Sequence, residues 1–294
     1  MKIVKLIGGI GNQMFQYAFA KSIGDDVLFD DAWFEWAENK YGKTHMFYGM
    51  DLYNADLKFA TKEQIKECLE ESALAEKLTN IYKVFHIKLF HTNRVYEKVR
   101  NKYDPKLYEI KGNAYYDGYF QAPKYFESIK DRLIKDFTPK NELTDENKEM
   151  LDKIRTTNSV AISTRRGDYV KLGYALDADY YNRALEEMAT RVENPVFYMF
   201  SNDMKWSLEN INTDNKFTII PCESFDQNCG YTCGIHLMSQ AKHNIITNST
   251  YPWWAAWLNN NEGRYTIAPK GWIESPGIVK TSFEDLLPDN WIKI

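Results

Sequence analysis

The second half of the chain alternates short apolar runs with segments of helical length. The apolar runs have the length and the content of β-branched and aromatic residues typical of buried strands, at 160–163, 196–200, 217–220, 244–247 and 265–268. Segments that predict helices lie between or after them, at 179–188, 235–241 and 250–258. Because strands here alternate with helices, the pattern predicts a doubly wound parallel sheet.

The first half begins with the same alternation. Lys2–Ile7 is a predicted strand, Gly8–Gln13 is a glycine-rich loop, and Met14–Ile23 is a predicted buried helix. A strand, a glycine loop and a helix in this order present backbone N–H groups to an anion at the helix N-terminus. The candidate ligand contacts in this loop are Gly9, Gly11, Asn12 and Gln13.

A nicotinamide dinucleotide site is an alternative for this loop. Gly9-x-Gly11 is present, and Asp30-Asp31 follows about twenty residues later, as the dinucleotide fingerprint requires. Met14 occupies the place of the third glycine, which that fingerprint needs for close packing of helix on strand. We therefore rank a nicotinamide ligand below a different phosphate ligand.

The rest of the first half is less regular. Strands are predicted at 27–29 and 114–116, and the aromatic segment 33–58 reads as an irregular loop. Thr61-x-x-Gln64 is a capping box, which predicts a charged surface helix to about Leu78. Thr138-Pro139 then interrupts the pattern. We predict two domains, 1–140 and 141–294, and leave open whether the last residues return to the first domain.

Composition narrows the class of protein. The chain has 294 residues with 44% hydrophobic residues, enough for a substantial core. The net charge of −4 gives no indication of a nucleic-acid partner. The first apolar run is short and interrupted by Lys5, and no run approaches the ~20 apolar residues of a membrane span. We expect a cytoplasmic protein and leave peripheral membrane contact and the oligomeric state open.

Candidate chemistry is concentrated at the ends of predicted strands in the second half. Arg165-Arg166 follows the first apolar run, and arginine suits phosphate because its planar fork donates two hydrogen bonds to one anion. The alternative is a surface turn whose arginines pair with carboxylates. Further polar residues at strand ends that would line a nucleoside diphosphate site are Ser201, Asn202, Asp203, Asn248, Ser249 and Thr250.

Two spacings suggest metal sites, and we expect neither to hold a metal. Cys229-x3-Cys233-x2-His236 lacks the usual C-x2-C pair and a second ligand pair. Asp177-x-Asp179 stands directly before a predicted helix, so an N-terminal cap is the better interpretation.

Polar residues also stand at strand ends in the first half. Asp117, Tyr119 and Gln121 follow the predicted strand at 114–116 and are candidates for a sugar site. Asp30, Asp31 and Asp117 are the candidates for a general base, and the sequence does not choose among them.

Read together, five ordered motifs resemble glycosyltransferase family 11, the α-1,2-fucosyltransferases. They are Gly8-Gly-Ile-Gly-Asn-Gln-Met-Phe-Gln-Tyr-Ala18, Asp117-Gly-Tyr-Phe-Gln121, Arg165-Arg-Gly-Asp-Tyr169, Phe200-Ser-Asn-Asp203, and 237–254 with Leu237-Met-Ser239, Lys242-His-Asn-Ile245 and Asn248-Ser-Thr-Tyr-Pro-Trp-Trp254. The resemblance implies a GT-B fold of two Rossmann-like domains with a cleft between them. It implies transfer from GDP-fucose to the 2-hydroxyl of a galactoside oligosaccharide or glycolipid, with inversion and without a metal.

The resemblance also implies roles for the candidate residues. Arg165 would be the catalytic cation on the leaving diphosphate, Arg166 would support it, and the glycine loop would touch the donor from the first domain. Tyr119 and Gln121 would contact the acceptor. Two positions depart from the family pattern, because Ser163 replaces a usual histidine and Gly234 replaces a usual aspartate. Another nucleotide-sugar transferase and a non-catalytic nucleotide or glycan binder remain alternatives.

Overall fold

The chain divides into two compact units, each built on a parallel sheet. The computed structural model describes residues 1–42, 46–69, 93–222, 230–273 and 280–294. Within these residues, unit 1 comprises residues 1–51, 55–136 and 280–288, and unit 2 comprises 52–54, 137–273 and 289–294. The main boundary therefore falls between Asp136 and Phe137.

Unit 1 contains a four-stranded parallel sheet in the order β2-β1-β5-β3. Its strands are β1 (Lys2–Lys5), β2 (Leu28–Asp30), β3 (Arg94–Tyr96) and β5 (Ala114–Asp117). A separate parallel pair joins β4 (Val99–Arg100) to β11 (Lys280–Thr281). The helices are α1 (Ile10–Ile23), α2 (Ala32–Tyr41), α3 (Lys62–Leu69) and α4 (Lys130–Asp136).

Helices cover both faces of this sheet. On one face α1 is buried along most of its length, and its Phe19 ring lies 4.0 Å from the Phe120 ring and 5.3 Å from the Tyr116 ring. On the other face Cys68 and Leu69 at the end of α3 pack with Ile3 and Tyr115. Because both faces are covered, the central residues of β1, Ile3 and Val4, are buried and apolar, while Lys2 and Lys5 at its ends are half-buried.

Unit 2 contains a six-stranded parallel sheet in the order β12-β10-β9-β6-β7-β8. The strands are β6 (Ser159–Thr164), β7 (Val196–Ser201), β8 (Thr218–Pro221), β9 (His243–Ile245), β10 (Thr266–Ala268) and β12 (Ile292–Lys293). The helices are α5 (Asp145–Thr156), α6 (Gly167–Leu172), α7 (Ala178–Ala189), α8 (Met204–Asn210), α9 (Gly230–Gln240) and α10 (Thr250–Leu258).

The core of unit 2 follows the predicted pattern. Tyr181, Leu185 and Met188 of α7 are buried against the sheet, as the helical period predicts. Trp253 and Trp254 of α10 are fully buried, so the prediction that these tryptophans form core is confirmed. With helices on both sides of each parallel sheet, the predicted class of two Rossmann-like α/β domains is confirmed.

One local prediction is wrong, and another can be followed only in part. The aromatic segment after Asp31 is not all loop, because Ala32–Tyr41 forms α2. Only Phe34 and Ala37 of this helix are buried. The exposed aromatic residues beside them mask the helical period of apolar positions in the sequence. The capping box at Thr61 and Gln64 forms reciprocally, with hydrogen bonds of 2.8 and 3.2 Å, and residues beyond Leu69 lie outside the described part.

The end of the chain serves both units. The described residues 280–288 belong to unit 1, whereas the last six residues belong to unit 2. The reason is that β12 adds beside β10 at the edge of the second sheet, with Ile292 paired to Ile267. Across the described residues, no helix has the length and apolar character needed to cross a membrane.

Candidate functional site

Three of the predicted polar segments meet at one edge of the second sheet. β6 lies between β9 and β7, and all three strands are parallel, so their carboxyl ends are neighbours. The segment after β6 begins with Arg165, the segment after β7 with Asn202, and the segment after β9 with Ile246. Carboxyl ends of neighbouring parallel strands are the usual ligand site of open α/β sheets.

Arg165 offers an incompletely bonded cation at this edge. Its Nη2 lies 2.7 Å from Asp168 Oδ1, and its guanidinium lies 5.3 Å from the centre of the Tyr169 ring. Its Nε is buried without a hydrogen-bond partner. An unsatisfied buried N–H on a charged group is costly, and an anion that accepted a hydrogen bond from it would remove that cost.

Arg166 is held more firmly than Arg165. Its guanidinium lies 3.4 Å from the centre of the Trp206 ring, and its Nε lies 3.6 Å from Asp203 Oδ2, too far for a hydrogen bond. Its backbone N–H donates to Asn202 Oδ1 at 2.7 Å. Both arginines thus have carboxylate neighbours, as the surface-turn alternative predicts, yet both keep a buried Nε without a partner.

Gly167 is required by the turn that presents these arginines. Its φ is +32°, and a Cβ at this position would lie 2.7 Å from Asn202 Nδ2. The glycine therefore lets the Arg166 backbone approach the Asn202 side chain, which ties the turn after β6 to the turn after β7.

Two of the predicted donor contacts, Ser201 and Asn248, are buried and form hydrogen bonds within unit 2. Ser201 is buried, and its hydroxyl bonds the hydroxyls of Thr164 and Ser207 at 2.5 and 2.9 Å. Asn248 is also buried, donates to the Tyr174 carbonyl and accepts from the Thr247 hydroxyl, each at 2.9 Å. Both side chains therefore support the turns that carry the site, and their contact with a donor stays a prediction.

The remaining polar residues at this edge are better placed. Asn202 is exposed, and Asp203 is half-buried and accepts from the Trp206 N–H as the cap of α8. Ser249, in contrast, is buried and hydrogen-bonded to the Tyr169 side chain, and it stands directly before Thr250, the first residue of α10. A helix N-terminus carries partial positive charge, so this end of α10 suits a negative ligand.

Asp177, not Asp179, caps α7. The Asp177 carboxylate accepts from the Tyr180 N–H at 3.1 Å, whereas Asp179 is exposed and pairs with Arg183 at 2.8 Å. The cap interpretation of this spacing is confirmed. Across the described ranges, no group of three or more His, Cys, Asp and Glu side chains is arranged to hold a metal ion. Cys229 lies outside those ranges.

The two departures from the family pattern lie in the same unit. Ser163 is buried near the carboxyl end of β6, beside Phe200 of β7. Gly234 is buried within α9.

The carboxyl edge of the first sheet gathers the candidate bases. Asp30 and Asp117 end the strands on either side of β1. The Asp117 carboxylate lies 3.5 Å from Lys5 Nζ and 3.4 Å from Arg94 Nη1, so its charge is matched by two cations. The Asp30 carboxylate accepts from the Tyr115 hydroxyl at 2.5 Å and from the Ala32 N–H at 3.0 Å.

Asp31 is the least engaged of the three carboxylates. It stands before α2 without a side-chain cap bond and is exposed. Partial burial raises its pKa above the ordinary value, and the negative charge of Asp30 adds to this. A raised pKa brings a carboxylate nearer to the proton affinity that a general base needs at neutral pH. Asp30, Asp31 and Asp117 thus all stay candidates for the base, and Asp31 is the most exposed of the three.

The glycine loop is partly scaffold. Gln13 is fully buried, its Nε2 donates to the carbonyls of Gly8 and Phe47, and its Oε1 accepts from the Gly49 N–H. Its side chain therefore joins two loops, and its predicted role as a donor contact stays a prediction. Sequence reasoning also missed Gln16, which accepts from the Ile7 N–H and donates to the Gly118 carbonyl, both at 3.0 Å.

Gly9 and Asn12 of this loop are half-buried, whereas Gly11 is buried. Gly9 precedes the first residue of α1, and Gly11 lies in its first turn. Asn12 Oδ1 accepts from Gln121 Nε2 at 2.9 Å, which joins the first and second motifs directly. Gln121 is itself buried, so this bond positions the loop.

Glu97 is a buried carboxylate that sequence reasoning missed. Its two oxygens accept from the N–H groups of Tyr119 and Asn101 at 2.9 and 3.2 Å. A Cβ on Gly118 would lie 2.8 Å from Glu97 Cβ, so the glycine permits this close approach. Glu97 thus fixes the turn that carries Tyr119, whose ring lies 4.9 Å from the Arg100 guanidinium.

We expect Glu97→Gln to change how stability depends on pH. Burial raises the pKa of Glu97 to about 6 from 4.5, although the N–H donors oppose this. Because the folded state binds this proton more tightly than the unfolded state does, proton binding by Glu97 stabilises the fold in full below about pH 4.5. This stabilisation is lost as the pH rises through about 6, by up to about 2 kcal/mol.

Urea unfolding of both proteins at about pH 4 and pH 7 measures this effect. The advantage of wild type over Glu97→Gln in free energy of unfolding should shrink by up to about 2 kcal/mol at the higher pH. The exposed Glu127 supplies the matched control, Glu127→Gln, which should show no such change. An advantage that is independent of pH would contradict the assignment.

Comparison with known proteins gives one family. The family model for glycosyl transferase family 11 matches residues 1–294. An alpha-1,2-colitosyltransferase of Escherichia coli is 31% identical over 301 residues, covering 99% of this chain and 98% of that protein. The O-antigen biosynthesis glycosyltransferase WbnK of Escherichia coli is 27% identical over 322 residues, covering 98% and 99%. Galactoside alpha-(1,2)-fucosyltransferase 2 of Sus scrofa is 28% identical over 188 residues, covering 60% and 54%.

Proposed function

Because the chain belongs to glycosyl transferase family 11, we propose that it transfers fucose from GDP-fucose to the 2-hydroxyl of a galactoside. The observation that carries the donor half is the pair of arginines at the carboxyl edge of the second sheet. Within the described residues, the Nε of each is buried and makes no hydrogen bond. The N-terminus of α10 follows β9 at the same edge of the sheet and also suits a negative ligand. In the acceptor half, Asp31 is the base.

The reaction requires three coordinated changes. The bond from the fucose anomeric carbon to the β-phosphate oxygen breaks, and its electron pair stays on GDP. The acceptor 2-hydroxyl oxygen forms the new bond on the opposite face of the sugar, which inverts the anomeric centre. Its proton passes to the Asp31 carboxylate. Arg165 donates hydrogen bonds to the phosphate oxygen where negative charge develops, a role that in other transferases a metal ion fills.

A colitosyl donor is the second candidate. The motivating observation is the relative described above as an alpha-1,2-colitosyltransferase, which matches nearly the whole chain at 31% identity. Colitose is fucose without its 3-hydroxyl, so a site built for fucose would offer the 3-hydroxyl a polar partner. A site that bonds a substrate hydroxyl discriminates strongly against the analogue that lacks it.

Turnover assays separate these candidates. The protein is incubated with lactose and, in turn, the GDP-activated forms of fucose, colitose and mannose, with a UDP-sugar as control and EDTA present throughout. We expect GDP release and an α-linked 2-O-fucosyl product that chelation does not reduce. Turnover of the colitosyl donor alone would select the second candidate. GDP binding by calorimetry without turnover of any donor on a panel of galactosides would leave a non-catalytic binder and refute both.

A further inference from the structure

Unit 1 carries a partly exposed series of aromatic rings next to Asp31, in which Phe34 is buried and Trp33 and Tyr48 are half-buried. We name it the aromatic row. The centres of consecutive rings are 5.3–6.1 Å apart in the order Tyr41, Trp36, Trp33, Phe34, Tyr48 and Phe59. Trp36, Tyr41 and Phe59 are 48%, 52% and 42% exposed, a large apolar surface to leave in water.

The row extends from the candidate base. Asp31 is the residue before α2, and the Phe34 N–H donates to its carbonyl at 3.0 Å. Tyr48 lies close enough for the charges of Asp51 and Asp31 to add to the effect of burial in raising its pKa. A molecule lying along the row would therefore reach the carboxylate of Asp31.

The charged residues around the aromatic row indicate which kind of molecule could bind there. Asp31, Glu35 and Glu38 are exposed carboxylates, and Lys40 is the exposed cation of the same helix. Lys40 is already engaged, since its Nζ lies 4.8 Å from the Trp36 ring centre and 5.0 Å from the Tyr41 ring centre. An anionic lipid surface attracts basic segments, so a face with excess carboxylates disfavours it.

We infer that the aromatic row is the acceptor-binding surface, and that its occupant is a neutral galactoside chain whose apolar C–H faces stack on Trp36 and Trp33. Aromatic side chains offer a large flat area at low conformational cost, and the flanking carboxylates accept hydrogen bonds from sugar hydroxyls. The inference rests on the proposed function, because it assigns the acceptor of that reaction. It adds a surface to the predicted acceptor contacts Tyr119 and Gln121, of which the Gln121 side chain donates to Asn12.

Trp36→Ala tests the inference by kinetics. We expect the acceptor KM to rise about tenfold, with kcat changed less than about twofold and the KM for GDP-fucose unchanged. Trp36→Phe keeps a ring and should recover most of the loss. Tyr265→Ala is the matched control, because Tyr265 is an exposed aromatic residue, 37% accessible, beside the amino end of β10. Circular dichroism and thermal melting confirm that each variant is folded.

A binding measurement separates this inference from the proposed transfer. Saturation-transfer NMR with lactose, irradiating the aromatic protons, should give signals on galactose C–H protons that Trp36→Ala removes and Tyr265→Ala keeps. Normal fucose transfer with unchanged acceptor KM and NMR signals in Trp36→Ala would overturn the inference and leave the proposed function standing. Loss of these signals in a protein without transferase activity would support the surface and refute the transfer.

Vesicles supply the competing outcome. The wild type and Trp36→Ala are sedimented with neutral phosphatidylcholine vesicles and with vesicles containing phosphatidylserine. We expect neither protein to sediment with either kind. Sedimentation that requires Trp36, with lactose signals unaffected by the substitution, would assign the row to a membrane and overturn the inference.

Discussion

Replacing Arg165 by alanine is expected to lower kcat by about 10²–10³ while the protein stays folded. The loss corresponds to removing one preorganised donor from a developing oxyanion, which typically costs about 2.7–4 kcal/mol of barrier. Arg165 is 24% exposed and its one ion pair, with Asp168, spans a single helical turn, so its removal leaves a small defect in the fold. The effect should therefore appear in kcat and not in the melting temperature.

Two further variants sharpen this measurement. Arg165→Lys keeps the charge but loses the planar fork, so we expect it to recover only part of the rate. Arg183→Ala removes an exposed arginine paired with Asp179 and should leave turnover unchanged. Steady-state kinetics with isothermal calorimetry for GDP separates rate from binding. A normal kcat with weaker GDP binding in Arg165→Ala would assign Arg165 to donor affinity and contradict its catalytic role.

The sequence predicted the second unit well because its signals are local. The central residues of the fully buried strand β6, Val160 to Ile162, form an apolar run. The helical period of apolar residues in amphipathic helices such as α7 indicates which face is buried. The edge that carries the site follows from parallel topology alone. The positions of Arg165 and of the N-terminal end of α10 at this edge could therefore be predicted without coordinates, while their ligand contacts stay a prediction.

The roles of individual polar residues could not be predicted in the same way. Ser201 and Asn202 are neighbours at a strand end, yet the first is buried in a hydroxyl network and the second is exposed. Which of the two reaches solvent depends on strand register and on packing of α8. Glu97 was missed because its partners Asn101 and Tyr119 are loop N–H groups, which leave no mark in side-chain pattern.

The glycine motif shows how fold and ligand share one segment. Gln13 and Gln16 stand three residues apart on α1, so they share a face of the helix. Their amides bond the backbone at Phe47, Gly49 and Gly118. Two polar residues of a motif that resembles a ligand site thus form hydrogen bonds that hold the surrounding loops in place.

Asp31→Asn is expected to reduce kcat by about 10²–10⁴, the range for loss of a general base. Asparagine has nearly the same shape but does not accept the acceptor proton. Asp31 is exposed and makes no side-chain cap bond, so the melting temperature should not change. In wild type, kcat/KM should fall as the pH drops through the pKa of Asp31, which lies above the ordinary aspartate value.

Asp30→Asn and Asp117→Asn provide the comparison that decides the base. Asp30 accepts two hydrogen bonds and Asp117 lies between two cations, so each substitution should lower stability more than Asp31→Asn does. If either abolished turnover without loss of stability while Asp31→Asn stayed within about threefold of wild type, the base would be that residue. An acceptor bound to the aromatic row would then lie beside a carboxylate that is not the base. The proposal links acceptor binding to proton removal through the position of the row beside Asp31.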